Sequence, residues 1–483
     1  MTIQDRYETV IGLEIHTQLA TRSKIFCGCP NRFGAPPNTQ ICPVCAAFPG
    51  VLPVLNTAVL DLAIMTGLAL NGTIRTRNEF ARKNYFYPDL PAGYQISQFE
   101  LPIVEHGALM IELEDAPRKR IGITRAHMEV DAGKSLHEGI VGASWVDLNR
   151  TGTPLLEIVT EPDLRSAAET GVFLKKLRGL VRHLGVCDGN MEEGSFRCDA
   201  NVSVRRFGDP KLGTRAEIKN LNSIRNVMRA IEYEVERQID RIEAGEKVVQ
   251  ETRLWDANQN LTRTMRGKEE AHDYRYFPEP DLPVVVITPE RIEAVRATMP
   301  ELPDQKFARF QAEFGLNDYD AGVLTADREM AAYFESALLV ARPADPKAVA
   351  NWVTVELLGR LNREGMEIGQ SPVLAEALGK LVHMIHGGVI SGKIAKTVFA
   401  HLWEQGGDPQ KIVEERGLVQ VSDQGAIEAE VDRVLAAHGE KIAQYRAGKT
   451  QLLGFFVGEV MKATRGKANP GVVNGLLKEK LGA

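Results

Sequence analysis

The stretch Gly189–Asn222, GNMEEGSFRCDANVSVRRFGDPKLGTRAEIKNLN, mixes acids, amides and bases with β-forming residues in alternation. On an extended chain successive side chains point to opposite faces. Asp199, Asn201, Ser203 and Arg205 therefore share one face, and Ala200, Val202 and Val204 share the other. After the Gly208–Gly213 turn the chain returns through Thr214–Asn222, setting Glu217 and Lys219 on one side of a second strand. A single strand of this kind reads equally as part of a half-solvated antiparallel sheet. Recurrence of the pattern along the chain makes this stretch the floor of an active site.

The pattern first occurs at Thr9–Leu19, where Leu13, Ile15 and Thr17 face one way and Glu14, His16 and Gln18 the other. It returns at Gly122–Asp131, with Arg125, His127, Glu129 and Asp131 opposite Ala126, Met128 and Val130. In Val146–Asp163, VDLNRTGTPLLEIVTEPD, Glu157 lies between Leu155 and Val159 on its own face. A carboxylate in such a run needs a cation, because burying it unpaired costs several kcal/mol or raises its pKa. If these strands join one sheet, their acid-bearing faces converge on a divalent-metal and phosphate site.

Cys27-Gly-Cys29 and Cys42-Pro-Val-Cys45 lie in a loop rich in Pro and Asn. In a reducing compartment, paired cysteines at this spacing point to a structural thiolate zinc site, with sulfur-to-metal distances of about 2.3 Å. Cys187 and Cys198 lack such spacing and read as buried apolar thiols. Asn56–Leu70 reads as one buried helix, capped by Asn56 and stopped at Asn71-Gly72. Arg82–Gln98, RKNYFYPDLPAGYQISQ, reads as a rigid loop whose Tyr, Arg and Lys groups either face a nucleotide or pack beneath it.

Several classes are excluded. Gly133-Lys134-Ser135 has Met128 where a phosphate-binding loop needs its first glycine, and Gly387–Lys393 is followed by Ile394, not Ser or Thr. Gly142-Ala-Ser144 is too bare for a nucleophile segment. The start MTIQDRYETV has no leader-like apolar core, and Asn56–Leu70 is too short to span a bilayer, so a cytoplasmic location is expected. The 483 residues are long for one core and predict two to four domains. The net charge of −6 hides an asymmetry: Lys441–Ala483 holds eight Lys/Arg against two Glu, a net of +6 that leaves −12 for residues 1–440.

Seven segments in one order carry a resemblance over essentially the whole chain: Val10–His16, Arg82–Gln98, His127–Ser135, Asp147–Val159, Met191–Ser203, Glu217–Ser223 and Asp273–Pro283. Together they resemble the GatB family of aspartyl/glutamyl-tRNA amidotransferases. The resemblance implies a glutamine-hydrolysing ligase that uses ATP to phosphorylate the side-chain carboxylate of Glu-tRNA(Gln) or Asp-tRNA(Asn). Ammonia from a glutaminase partner, GatA, then displaces phosphate, and a small third protein, GatC, completes a heterotrimer. No membrane or DNA partner is expected.

Carried over by position, the family's magnesium ligands fall on His16, Glu129 and Glu157, with Glu14 alongside. Imidazole is an atypical magnesium ligand, and the donors alone suggest manganese or zinc. Asp199, Asn201, Glu217 and Lys219 are assigned to a second cation and the ATP phosphates. The fold implied is multidomain α+β: a cradle over 1–295 built on antiparallel sheet with helices, an all-α domain over 296–407, and a small all-α, tRNA-binding tail over 408–483.

The residues themselves agree with a change of pattern after a short strand at Pro283–Ile287. Asp345-Pro346, Ser371-Pro372, Asp408-Pro409 and Asn469-Pro470 each read as a cap followed by proline at the first helical position. Gly387-Gly388 and Gly406-Gly407 read as stops. In the tail, Leu452, Leu453, Phe456, Val457 and Val460 recur at helical spacing, followed by Lys462, Arg465 and Lys467. The competing reading is a non-catalytic, zinc-containing tRNA-binding scaffold. An aminoacyl-tRNA ligase fits worse, since Glu14-Ile15-His16 is not a HIGH motif and no KMSKS-like loop occurs.

Overall fold

A computed structural model describes residues 6–113, 117–136, 143–267, 274–419, 424–464 and 468–482. Gly142, Asp273, Arg465 and Lys467, named above, lie outside them. The chain divides into two compact units, Met1–Leu302 and Pro303–Ala483.

The first unit is organised by a 12-stranded sheet. Its strands are β1 (Tyr7–Gln18), β2 (Thr73–Ile74), β3 (Ala81–Asn84), β4 (Tyr94–Ser97), β5 (Val104–Ile111) and β6 (Lys119–Val130). They continue with β7 (Pro154–Thr160), β8 (Phe196–Arg206), β9 (Ala216–Lys219), β10 (Glu251–Asp256), β11 (Leu261–Gly267) and β12 (Phe277–Pro278). The order across the sheet is β11-β10-β9-β8-β1-β7-β6-β4-β3-β12, with β5 pairing both β6 and β2. Pairing is antiparallel except between β9 and β10, which are parallel. The chain joins that pair through the helix α3 (Ile224–Glu243), and a crossover of this kind returns the second strand in the same direction as the first.

The register sets the polar residues side by side. His16 lies opposite Glu157 on β7 and Arg197 on β8, and Glu14 lies opposite Asp199. Glu157 in turn faces His127, Glu129 faces Ser97, and Asn201 faces Glu217. The alternate residues Ile11, Leu13, Ile15, Leu156, Ile158, Ala200, Val202 and Ile218 are buried in one core. That core includes Val59 and Ile64 of α1 (Thr57–Ala69), Phe173 and Leu177 of α2 (Ala167–His183), and Val227 and Ile231 of α3. Asn56, Ser166 and Ser223 accept backbone N–H groups as the caps of α1, α2 and α3.

Glu234 of α3 is fully buried and accepts both ends of the Arg237 guanidinium at 2.9 and 2.6 Å. It also accepts Gln238 at 2.7 Å and lies 3.4 Å from Arg253 of β10. Within the second unit the described residues are helical outside their turns, around two separate cores. One gathers Phe310, Phe334, Leu378 and Leu402, and the other Ile427, Val431, Phe456 and Leu477. Ile412 and Val413, on the helix Pro409–Glu415, belong to the first of these. Asp345, Asp408 and Asn469 cap helices that open on proline, and Gly387 and Gly406 end helices. Ser371 does not cap one. Its hydroxyl exchanges hydrogen bonds with the Val373 backbone, closing a local turn, and the helix begins only at Ala375.

Removing one partner from a buried ionic network leaves uncompensated charge. Glu234→Ala leaves Arg237 and Arg253 to share Glu251, at 3.6 and 2.5 Å, as their remaining carboxylate, and the expected loss of stability is about 3 kcal/mol. Chemical denaturation followed by circular dichroism checks this, and an unchanged midpoint would show that the network contributes nothing.

Candidate functional site

His16, Glu129 and Glu157 arrive on three adjacent strands, and one ligand atom from each falls within a span of 4.8 Å. His16 Nε2 lies 3.4 Å from Glu157 Oε2 and 3.6 Å from Glu129 Oε1. His127 Nε2 approaches the same Glu157 oxygen at 3.4 Å. Both carboxylates are buried, yet among the described residues Glu129 Oε2 accepts no hydrogen bond, the nearest imidazole being His127 Nε2 at 3.9 Å. An orphaned carboxylate oxygen beside a second carboxylate and an imidazole suits a bound divalent cation, and the donor types admit manganese or zinc as readily as magnesium. Burial pushes the His16 pKa down, but Glu157 and then Glu129 outweigh it and raise it to about 8. Burial would raise Glu157, whereas His127 and His16 hold it well below the usual carboxylate range.

The second set adjoins the first through Glu14, whose pKa is raised by burial and then by Glu157. Asn201 donates to Glu14 at 3.0 Å. Lys219 sits between two acids, 2.5 Å from Asp199 and 2.8 Å from Glu217. A cleft of about 510 Å³ opens here, lined by Glu14, Asn201, Ser203, Leu212 and Arg215 among others.

The loop Arg82–Gln98 forms the β3–β4 hairpin. Its Tyr85 ring meets Tyr87 and, from outside the loop, Tyr274 edge to face, and Lys83 Nζ lies 5.0 and 5.9 Å from the ring centres of Tyr274 and Tyr85. Burial opposes the Lys83 charge, but Glu129, Tyr276 and Glu157 raise its pKa. Away from the sheet face, Cys27, Cys29, Cys42 and Cys45 bring their sulfurs together within 4.8 Å. Cys45 Sγ lies 4.0 Å from that of Cys29 and 3.9 Å from that of Cys42. A tetrahedron with sulfurs about 2.3 Å from zinc has edges of about 3.8 Å, so the four fit a structural metal. The Cys45 thiol is pulled down to about 4, first by the hydrogen bond with Cys27, against the upward push of burial. Cys187 and Cys198 are buried, and burial raises both thiols.

A family model described as the GatB/GatE catalytic domain matches residues 9–293, and one described as the GatB domain matches residues 332–481. The chain belongs to the GatB family. Among its relatives is the GatB-type protein of the aspartyl/glutamyl-tRNA(Asn/Gln) amidotransferase from Alkalilimnicola ehrlichii, 63% identical over 475 residues, which are 98% of this chain and 99% of that protein. Its counterpart from Halorhodospira halophila is 60% identical over 476 residues, 99% of each chain. The GatB catalytic-domain match covers the entire charged sheet face and the cysteine cluster. No helix among the described residues is long and apolar enough to cross a membrane.

Sequence reasoning placed His127 on the right face of this GatB chain but gave it no part, although its spacing of two from Glu129 was a visible signal. It also gave no role to Asp131, whose carboxylate is buried and accepts Gln18 at 3.1 Å and Arg197 at 2.9 Å, with Arg150 at 3.6 Å. Burial raises the Asp131 pKa, but Arg197 and Arg150 hold it below its ordinary 3.8. A carboxyl depressed in the folded state contributes stability that is complete above its unfolded pKa and is lost as pH falls through the folded value. Asp131→Asn is therefore expected to cost about 3 kcal/mol at neutral pH. The gap from wild type should narrow as both are denatured at successively lower pH below the ordinary 3.8. A gap independent of pH would remove the carboxylate charge from the explanation.

Proposed function

We propose that this chain is the component of a tRNA-dependent amidotransferase that activates the side-chain carboxylate of Glu-tRNA(Gln) or Asp-tRNA(Asn) with ATP. The observation that carries the reading is the His16, Glu129 and Glu157 cluster, with its orphaned oxygen, at the centre of a continuous charged sheet face. The relatives' names supply the tRNA substrates and the place in a larger enzyme.

The chemistry follows from the substrate. A carboxylate is a poor acyl donor until one oxygen becomes a leaving group. Transfer of the ATP γ-phosphoryl group gives an acyl phosphate and ADP, and attack by ammonia then gives the amide and phosphate. Such transfer needs alignment and charge neutralisation more than covalent help. His16, Glu129 and Glu157 would hold magnesium, which when bound neutralises phosphate charge. Lys219, balanced between Asp199 and Glu217, offers an ammonium to phosphate oxygens, and Asn201, tethered by Glu14, offers its second amide N–H. The cleft beside Glu14 is of a size suited to a nucleotide. Lys83 keeps a positive charge beside Glu129, where the incoming carboxylate would otherwise be repelled.

The proposal extends to the assembly. The glutaminase GatA supplies ammonia and GatC completes the heterotrimer in the cytoplasm, while zinc in the cysteine cluster is structural. Residues 1–295 act as the catalytic cradle, 296–407 as a helical domain and 408–483 as a tRNA-binding tail. The basic excess of the last 43 residues supports the tail assignment, because phosphate contacts dominate sequence-independent affinity for nucleic acid.

Glu157→Gln is expected to keep the fold and abolish carboxyl phosphorylation in the purified complex with misacylated tRNA, and added ammonia should not restore amide formation. ATP hydrolysis dependent on misacylated tRNA that persists at the wild-type rate would sink the assignment. Truncation after Val419, which spares Ile412 and Val413, is expected to leave the cluster intact and weaken tRNA binding. Full-length and truncated complexes are compared by binding at two salt concentrations. Equal affinities with equal salt slopes would exclude the tail as an RNA-binding element.

A further inference from the structure

Lys24 has no solvent exposure at all. Its Nζ donates to the Gln40 carbonyl at 2.7 Å and lies 3.6 Å from Cys45 Sγ. No carboxylate among the described residues forms an ion pair with it. A buried ammonium is strongly disfavoured unless an opposite charge accompanies it, and the cysteine cluster supplies the charge nearest to hand. The burial is also built in from both sides. Gln40 donates its backbone N–H to Asn149 Oδ1 at 2.8 Å, and Ile25 N–H bonds the Gly152 carbonyl at 2.9 Å. Gly152, at φ +88°, closes over the lysine stem so tightly that an added Cβ would lie 3.1 Å from Lys24 Cδ and 3.3 Å from Cys45 Cβ.

Four thiolates around a dication leave a net charge of −2, and of the four only Cys45, the one beside Lys24, is buried. A neutral stem would fill the same space, so what distinguishes lysine here is its charge. We propose that Lys24 is the internal counter-cation of the cysteine site, orienting the Cys45 sulfur and offsetting one of the two net negative charges, a reading that rests on zinc being the metal held there. Lys24 is a positioning residue for the metal and takes no part in the reaction on the sheet face.

The test uses the full-length protein and zinc itself. Zinc affinity is measured by competition with a chromophoric chelator for wild type, Lys24→Met, Cys45→His and the double variant. Cobalt substitution counts thiolate ligands through the charge-transfer absorption. Methionine keeps the bulk and loses the charge, and the expected weakening is about 10- to 100-fold, as for other outer partners of metal ligands. Histidine is a neutral ligand, so Cys45→His removes one negative charge, and a cavity of about 90 Å³ beside Cys45 leaves room for the ring. The double variant should therefore bind zinc nearly as tightly as Cys45→His alone.

Unaltered affinity in Lys24→Met overturns the proposal. So does a weakened or misfolded Lys24→Met that Cys45→His fails to recover, because lysine would then be a packing pillar. Wild-type protein that binds no zinc defeats the metal reading itself, an outcome distinct from zinc binding that ignores Lys24.

Discussion

The register of β1 between β7 and β8 is the constraint on which the site depends. Side chains alternate with a period of two, so a slip of one residue on either side would turn His16 and Glu14 into the core and Leu13 and Ile15 out of it. The apolar residues of all three strands enforce the alignment by closing the core against α1, α2 and α3. The chemical face thus needs no separate device to assemble it: burial on one side of the sheet positions charge on the other. The acids so gathered are balanced locally, His16 and His127 against Glu157, Lys219 against Asp199 and Glu217, and Arg197 against Asp131.

Much of this is legible in the amino-acid sequence, for a physical reason. Period-two alternation is a local property, so Glu14, His16, Glu129, Glu157, Asp199 and Glu217 could be assigned to faces from spacing alone. Strand neighbours are not local. Nothing in the spacing said that β1 would lie between β7 and β8, or that β9 and β10 would run parallel. The Ser371-Pro372 signal failed because serine can bond its own turn as well as a helix end, and the Val373 backbone competed for it. Lys24 was illegible for a related reason: a lysine in a polar loop reads as solvated, and its burial depends on Gly152, far along the chain.

Two clusters that could each hold a metal ion are kept apart in the first unit. The cysteine cluster lies in a loop tied to the Asn149–Gly152 turn, which leads directly into β7 and Glu157. The Asp131 cluster joins that turn, through Arg150, to β1 and β8. The cysteine cluster and the charged cluster on the sheet therefore share supporting residues but have no member in common.

The central position of β1 also governs how the polypeptide reaches its native state. β1 is made first, yet its partners lie far downstream, Glu14 pairing with Val159 on one side and Asp199 on the other. During synthesis at roughly 5 to 20 residues per second, the strand waits on the order of ten seconds or more for both neighbours to leave the ribosome. Throughout that interval an unpaired strand with one apolar face is open to intermolecular pairing, and closing such distant contacts is intrinsically slow. The nascent chain therefore leaves one edge of β1 without its native partner until residue 206 has emerged.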